Sequence, residues 1–198
     1  MTDGLQCVLL RNTGLLKERT SELLSISTQL QLQINLMAAP FLRGWAMVSA
    51  GQVTEGIAEM RQTLSNPVGA LSSTGALLLP VLAETCGNNG HVKEALDWVA
   101  RGLATADRIG LRIAEAELHR VKAHLLLISD PSAKVEAERC LRTAIDIARR
   151  QSARLFELRA TISLARLIAN RAARGAHYAR RNLQLVHRRV RYYRPERG

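Results

Sequence analysis

Apolar and polar residues alternate with a helical period along most of the chain. In the segment 92–106, apolar side chains recur every three or four residues, which places them on one side of an α-helix. The predicted stripe of this helix consists of Val92, Leu96, Val99, Leu103 and Ala106. The apolar segment before it ends in Gly87-Asn-Asn-Gly90, residues that tolerate a positive φ and favour a helix end and a tight turn. The pattern predicts two helices joined by this turn.

Similar segments occur before and after this central pair. Residues 56–64, 95–103 and 137–145 align with each other at offsets of 39 and 42 residues. Each begins with Gly or Ala and has a second small residue seven positions later, followed by Leu or Ile. Small residues allow helices to approach closely, and a helix pair needs similar neighbours to bury its apolar face. The predicted fold is therefore all-α, a right-handed α-solenoid of about three to four antiparallel helix pairs.

The predicted helical-repeat domain occupies residues 16–170. Residues 1–15 lack a clear helical pattern and are expected to be poorly ordered. Residues 171–198, the Arg-rich tail, are expected to be helical at most in part. Besides the central pair, the predicted helices span residues 15–31, 36–50, 53–65, 111–128, 135–150 and 154–170.

Several helix ends and faces can be predicted locally. Asp130-Pro131 marks a boundary, because Asp can cap a helix and Pro suits its first position. Ile113 is expected to point inward from the helix 111–128. On the last predicted helix, the expected inward stripe consists of Leu155, Leu158, Ile162, Ala165 and Ile168.

Composition supports a helical protein and separates the body from the tail. Aromatic residues make up 4% of the chain and β-branched residues are sparse, which favours helix over strand. The net charge is +11, and the Arg-rich tail, with nine arginines and one acid, carries +8 of it. The body is therefore close to neutral.

The cysteines and the apolar runs indicate the expected cellular location of the protein. Cys7, Cys86 and Cys140 are far apart and form no CxxC pattern, which favours free thiols in a reducing compartment. The start of the chain lacks the pattern of a signal peptide. The longest apolar run of the body, residues 75–83, is too short to cross a membrane. A cytoplasmic protein with no membrane span is predicted.

The sequence contains no motif typical of catalysis or of phosphate binding. GxxxxGK[ST], GxGxxG, HExxH and GxSxG are all missing from it. His119 and His124 fall on different faces of one predicted helix, which is a poor geometry for a metal. Trp45 and Trp98 lie on or beside apolar stripes and are expected to pack in the core. A non-catalytic protein with no cofactor and no metal is predicted.

The Arg-rich tail is the sharpest electrostatic feature. Its arginines and its interspersed tyrosines would neutralise phosphates and stack on bases, so nucleic-acid binding is the alternative function. An anionic membrane surface is a second target for such a charge. Because the arginines show no single helical face, the sequence favours a tail without function over these two targets. The candidate nucleic-acid residues are Arg180, Arg181, Arg188, Arg189, Arg191 and Arg194.

Five motifs give the chain a family resemblance over residues 36–170. They are Leu42-Arg-Gly-Trp-Ala46, Leu82-Ala-Glu84, Ala114-Glu-Ala-Glu-Leu-His-Arg120, Ala144-Ile-Asp-Ile-Ala-Arg-Arg-Gln-Ser-Ala153 and Phe156-Glu-Leu-Arg-Ala160. With them, the chain resembles the tetratricopeptide-like C-terminal region of bacterial signalling ATPases, which include adenylate/guanylate cyclase-related proteins and transcriptional regulators.

The resemblance implies a scaffold for sensing or for protein–protein interaction in signal transduction. In that family the cyclase active site and the ATPase phosphate loop lie upstream of the repeats, and no residue of this chain matches them. The family's last repeat continues into an acidic-apolar helix, whereas this chain has the Arg-rich tail at that place. Both a free-standing protein and a fragment of a larger one are compatible with this departure.

The solenoid hypothesis also predicts a binding groove. The first helix of each pair lines the concave face, where a protein or peptide partner would bind. Because the ends of the solenoid lack polar caps, self-association into a homodimer is also expected. The candidate groove residues are Arg43, Glu84, Glu117, Arg120, Arg159 and Arg166.

Overall fold

The computed structural model describes residues 33–65 and 72–172, and all regular secondary structure within these two ranges is helical. This confirms the prediction of an all-α protein. The predicted helix 15–31, the N-terminal segment 1–15 and all but the first two residues of the Arg-rich tail lie outside the described residues. The described helices are α1 (Gln33–Ser49), α2 (Val53–Ser65), α3 (Ser73–Asn88), α4 (Val92–Ile109), α5 (Glu115–Ser129), α6 (Lys134–Arg150) and α7 (residues 154–172).

Consecutive helices pack as pairs. The strongest contacts are between α1 and α2, between α3 and α4, and between α5 and α6. The helices of each pair are joined by only three or four residues, and Gly51 and Gly90 adopt φ values of 90° and 88° in the first two connections. Further contacts join α3 to α1 and to α5, and α4 to α5. The first helices of successive pairs are therefore neighbours.

The core runs through the pairs. The main cluster extends from Phe41 on α1 through Leu82 on α3 to Leu125 on α5, all fully buried. A second cluster joins Ala123 of α5 to Leu141 of α6 and Leu167 of α7. The pairs thus bury apolar side chains against one another.

Glycines allow the closest contact between helices. A Cβ atom on Gly44 would lie 2.6 Å from the carbonyl oxygen of Gly56, and a Cβ atom on Gly56 would overlap the carbonyl oxygen of Gly44. The backbones of α1 and α2 therefore touch at this crossing. At the aligned small positions, Ala95 and Ala137 are also fully buried. These contacts explain why a small residue recurs at the start of each aligned segment.

Two predicted helix ends differ from the structure. Gly87 lies within α3, not in the turn, and a Cβ atom there would overlap the side chain of Leu125. The turn itself consists of Asn89 and Gly90. The helix predicted from residue 111 begins at Glu115, and the prediction that Ile113 points inward is wrong, since this residue is exposed before the helix starts.

Asp130 does not cap α6 as the sequence suggested. It accepts hydrogen bonds from the backbone amide and the hydroxyl of Ser132, both at 2.8 Å, and these bonds lower the pKa of its carboxyl group. The helix begins two residues later at Lys134, and its N-cap Ala133 provides no side-chain hydrogen bond. Pro131 therefore lies in a turn before the helix.

The buried face of α4 is only partly the predicted one. Val99 and Ala106 are buried, but Val92, Leu96 and Leu103 lie at its margin and are partly exposed. The centre of the face also contains Ala95, Trp98 and Gly102. Neighbouring helices cover the small residues Ala95 and Gly102. A large apolar side chain was therefore not a reliable sign of burial on this helix.

The predicted stripe of α7 is wrong. Leu158, Ile162 and Ile168 are exposed, whereas the side of α7 that meets the rest of the protein carries Phe156, Ala160 and Leu167. The helix also continues to residue 172, two residues beyond the predicted end.

Candidate functional site

Four of the six candidate groove residues come together in one charge cluster. Glu84 of α3, Glu117 and Arg120 of α5, and Arg159 of α7 connect three first helices that are separate in sequence. Each helix supplies at least one charge of this cluster. The two acids balance the two bases, so the cluster is neutral as a whole.

Arg120 and Glu117 form the centre of the charge cluster. The Nε and Nη2 atoms of Arg120 donate to Oε1 of Glu117 at 3.0 and 2.9 Å, and Nη2 also donates to Oε1 of Glu84 at 2.8 Å. The Nη1 atom of Arg159 lies 2.7 Å from the same Oε1 of Glu117. The side chains of Glu117 and Arg120 are only 4% and 8% exposed. Ion pairs this deeply buried depend strongly on one another, because a lost partner leaves a charge in a medium of low polarity.

The outer part of the charge cluster is less tightly bound. The Nη2 atom of Arg159 is 3.8 Å from Oε2 of Glu84, a distance beyond that of a hydrogen bond. Burial lowers the pKa of Arg159, an effect that Glu117 opposes and Arg120 reinforces. The second oxygen of Glu117, Oε2, is buried without a hydrogen-bond partner among the described residues. This oxygen of the charge cluster therefore accepts no hydrogen bond from the described residues.

Two clefts meet at Glu84. The first cleft, of about 350 Å³, lies between α1 and the C-terminal part of α3. The second cleft, of about 260 Å³, lies between α3, α5 and α7, with one residue of α6. Besides Glu84, the first cleft is lined by Trp45, Val48, Ser49, Thr85, Asn88 and Asn89. Besides Glu84, the second is lined by Arg120, Ala123, His124, Leu127, Leu141, Ser163, Arg166, Leu167 and Asn170. Each cleft has room for one or a few side chains of a partner.

The other two candidate groove residues lie apart from the charge cluster. Arg166 lines the second cleft and is exposed. Arg43 is exposed on α1 and bonds to Glu59 of α2, which raises the pKa of Arg43 through the hydrogen bond and the neighbouring charge. Arg43 thus links α1 to α2 and lines neither cleft. The six candidate nucleic-acid residues of the tail lie outside the described residues.

Sequence reasoning missed the polar residues that line the clefts. Asn88 belongs to the segment predicted only as a turn, yet it lines the first cleft, and its Oδ1 atom lies 2.8 Å from Nε2 of His124, which lines the second. Ser163 and Asn170 lie on the side of α7 opposite to the predicted stripe. Trp45 packs in the core as predicted, but it also lines the first cleft. A correct inward face for α7 would have found two of these residues.

The part of the chain that the structure describes also bears on metal binding, on membrane crossing and on thiol chemistry. In residues 33–65 and 72–172, no group of three or more His, Cys, Asp or Glu side chains has the geometry to hold a metal ion. Within the same ranges, no helix is both long and apolar enough to cross a membrane. Burial raises the pKa of Cys86 to about 11 and also raises that of Cys140, so neither thiol is activated as a nucleophile.

Comparisons of the chain with protein-family models, with curated proteins and with solved structures gave no match.

Proposed function

We propose that the protein is a non-catalytic helical-repeat scaffold that binds a protein or peptide partner along its two clefts. The observation that carries this proposal is the position of the clefts, which lie on successive first helices and meet at Glu84. In a right-handed solenoid of tetratricopeptide-like pairs, the first helices line the concave face, and an extended surface of this kind suits a polypeptide partner.

The lining of the second cleft suggests which side chains of a partner would bind there. Ala123, Leu127 and Leu167 provide an apolar floor, and Arg166 lies at the rim. Arg166 makes no ion pair with another residue in the described part of the chain. A segment with an apolar side chain next to a carboxylate is complementary to this arrangement.

The family resemblance supports the same type of function. The sensor and interaction tails of bacterial signalling ATPases are non-catalytic repeats, and the paired helices α1 to α6 are consistent with such a tail. We therefore propose a role in signal transduction, either as a free-standing protein or as part of a larger one. The predicted cytoplasmic location and homodimer belong to this proposal.

A peptide-display selection on the full chain, followed by affinity measurements, tests the proposal. We expect the selected peptides to share an apolar residue beside an acid. Arg166→Glu should weaken the binding of such a peptide roughly tenfold or more, because it reverses the charge at the rim. The matched control is Arg139→Glu on α6, whose side chain is 70% exposed and lines neither cleft.

Two results would contradict the scaffold proposal. One is a selection that enriches no peptide. The other is an equal loss of affinity in Arg166→Glu and Arg139→Glu, which would mean that binding follows the overall charge of the protein and not the second cleft. Circular dichroism melts of both variants would establish that each is folded.

The alternative function is nucleic-acid binding through the Arg-rich tail, favoured by its charge of +8. Affinity for DNA or RNA should then fall steeply with salt, because each phosphate contact releases a counterion. Deletion of residues 171–198 should abolish this binding. Unchanged affinity in the deletion variant would exclude the alternative.

A further inference from the structure

The second cleft combines an apolar wall with charged side chains. The wall is part of the core cluster that joins α5, α6 and α7, and it includes Ala123, Leu141 and Leu167. Leu127 packs against this cluster, lines the cleft and is partly exposed. Contact with an apolar group removes such surface from water, which is favourable. This side of the cleft therefore suits the apolar part of a ligand.

Arg120, which lines the same cleft, has one nitrogen without a hydrogen bond to the described residues. Its hydrogen bonds to Glu117 and Glu84 use Nε and Nη2, and none of them uses Nη1. Nη1 is not among the fully buried atoms that lack a partner in the described part of the chain, so it retains access to solvent. Nη1 is therefore available to a ligand in the second cleft.

The guanidinium group of Arg120 is held in a fixed position. Carboxylates from two helices bind it, and its side chain is only 8% exposed. A donor that is already fixed loses little conformational entropy when it binds a ligand, in contrast to a long side chain on the surface. Nη1 is thus a preorganised donor for an anion.

The charge balance indicates how much negative charge a ligand brings. The charge cluster is neutral, and Arg166 adds one positive charge to the lining of the second cleft. Arg166 makes no ion pair with another described residue. With His124 counted as neutral, one negative charge balances the site. A ligand with two would place its second charge near Glu84 without a partner.

The size of the second cleft limits the ligand further. Its volume of about 260 Å³ is below the roughly 300–1,000 Å³ of pockets that hold drug-sized molecules. A carboxylate has two oxygens, which is enough for one hydrogen bond from each of the two arginines. The cleft therefore suits a small molecule with one carboxylate and an apolar tail.

We propose that the second cleft binds a small free monocarboxylate, such as a short-chain fatty acid. Its carboxylate binds Nη1 of Arg120 and the guanidinium of Arg166, and its tail packs on Leu127 and Leu167. This small-molecule site does not depend on the polypeptide partner proposed above, although a peptide in the second cleft would compete with the acid.

Titration of the isotope-labelled full chain with hexanoate at constant ionic strength, followed by NMR, tests the inference. The methyl groups of Leu127 and Leu167 and the side-chain Nε–H of Arg120 should show saturable shifts. A ligand of this size should bind with a dissociation constant of roughly 1 mM. The internal control is the outward side of α6, which should show no shift and carries the exposed residues Glu136, Arg139 and Arg142.

Two related probes separate the carboxylate from the tail. Hexanamide keeps the tail without the charge, and acetate keeps the charge without the tail, so each should bind about tenfold more weakly than hexanoate or worse. Equal affinity for hexanamide would overturn the role of the arginines, and equal affinity for acetate would overturn that of the apolar wall. The absence of any saturable shift with hexanoate would overturn the whole inference.

Charge variants locate the binding of the acid. Arg166→Gln should weaken hexanoate about fivefold or more and leave hexanamide unchanged, because only the acid uses the charge. Arg139→Gln removes the same charge outside both clefts and should change neither affinity. An equal effect of the two variants on hexanoate would overturn the inference. Because Arg120 also holds the charge cluster together, its role is measured in the wild type, where its Nε–H signal should respond to hexanoate and not to hexanamide.

Competition with a display-selected peptide separates this inference from the scaffold proposal. Hexanoate should weaken the binding of a peptide that occupies the second cleft. A protein that binds selected peptides but shows no shift with hexanoate would overturn the inference and leave the scaffold proposal standing. Saturable binding of hexanoate without any enriched peptide would support the inference and contradict the scaffold proposal.

Discussion

At the scale of residues, Glu117 and Arg120 hold unusual positions for charged side chains. Both are almost fully buried, and both depend on partners from other helices, Glu84 on α3 and Arg159 on α7. An isolated charge at either position would cost on the order of several kcal/mol of solvation free energy. The charge cluster therefore fixes how the three first helices lie beside each other, and these buried residues are unsuitable as simple probes of binding.

The first prediction concerns the stability that the charge cluster provides. Glu117→Ala should lower the free energy of unfolding by about 3–5 kcal/mol, because it removes the acceptor that the buried Arg120 and the partly buried Arg159 share. The control is Glu136→Ala, which removes an exposed ion pair with Arg139 and should change stability by about 1 kcal/mol or less. Urea denaturation measures both values, and equal effects of the two substitutions would contradict the structural role of Glu117.

The second prediction concerns pH. Burial lowers the pKa of His119, and neighbouring charges act in both directions, Glu115 and Asp107 raising it and Lys122 and Arg139 lowering it. The unfolded state thus binds a proton at a higher pH than the folded state does, so this contribution to stability is lost as the pH falls through about 6.5.

The His119 variant isolates this effect. Between pH 7.5 and 5.5, the melting temperature of the wild type should fall more than that of His119→Gln, whose side chain does not titrate. Parallel curves for the two proteins would contradict the prediction. His124→Gln, a second histidine substitution on the same helix, is the matched control.

At the scale of elements, the sequence predicted helices well and their faces less well. Where one side of a helix is clearly apolar, as in α2 with Ile57, Met60 and Leu64, that side is the buried one. On α7, apolar residues occur on both sides, and periodicity alone does not tell which side meets the core. The contact that decides is with Ala123 and Leu141 on other helices, which no local pattern encodes.

The candidate site was predictable to the same degree. The six candidate groove residues follow from the sequence only through their place on first helices, and four of them converge in the charge cluster. Arg43 does not join them, because its nearest acid, Glu59, lies on the paired helix α2. The side chains that line the clefts depend on helix rotation, which a repeat pattern does not specify.

The third prediction concerns helix contact. Gly56→Ala should destabilise the protein by roughly 2 kcal/mol, because the new Cβ atom meets the backbone of Gly44, which has no room to move. Gly102→Ala meets only side-chain ends, Cδ1 of Leu118 at 2.9 Å and Cδ2 of Leu79 at 3.1 Å. These side-chain ends can shift. The higher helix propensity of Ala also offsets about 1 kcal/mol of the cost of the new contacts.

Denaturation curves of the two glycine variants compare these costs directly. Gly102→Ala should stay within about 1 kcal/mol of the wild type. If Gly56→Ala were as stable as Gly102→Ala, the backbone contact between α1 and α2 would not be as close as described.

At the scale of the whole molecule, first helices supply most of the residues that line the two clefts and all residues of the charge cluster, and α2, α4 and α6 each pack against the first helix of their pair. The described part of the chain holds neither a metal-binding group nor an activated thiol, and its polar groups are placed to hold helices or to line clefts. This division between supporting and lining helices is the basis for proposing a scaffold that binds a polypeptide.

The measurement that tests this central claim most directly is a titration of the isotope-labelled full chain with a display-selected peptide, followed by NMR. The account predicts chemical-shift changes around the clefts, at Thr85, Ser163 and Arg166, with the outward side of α6 unchanged. Changes confined to the outward side of α6 or to the Arg-rich tail would contradict it.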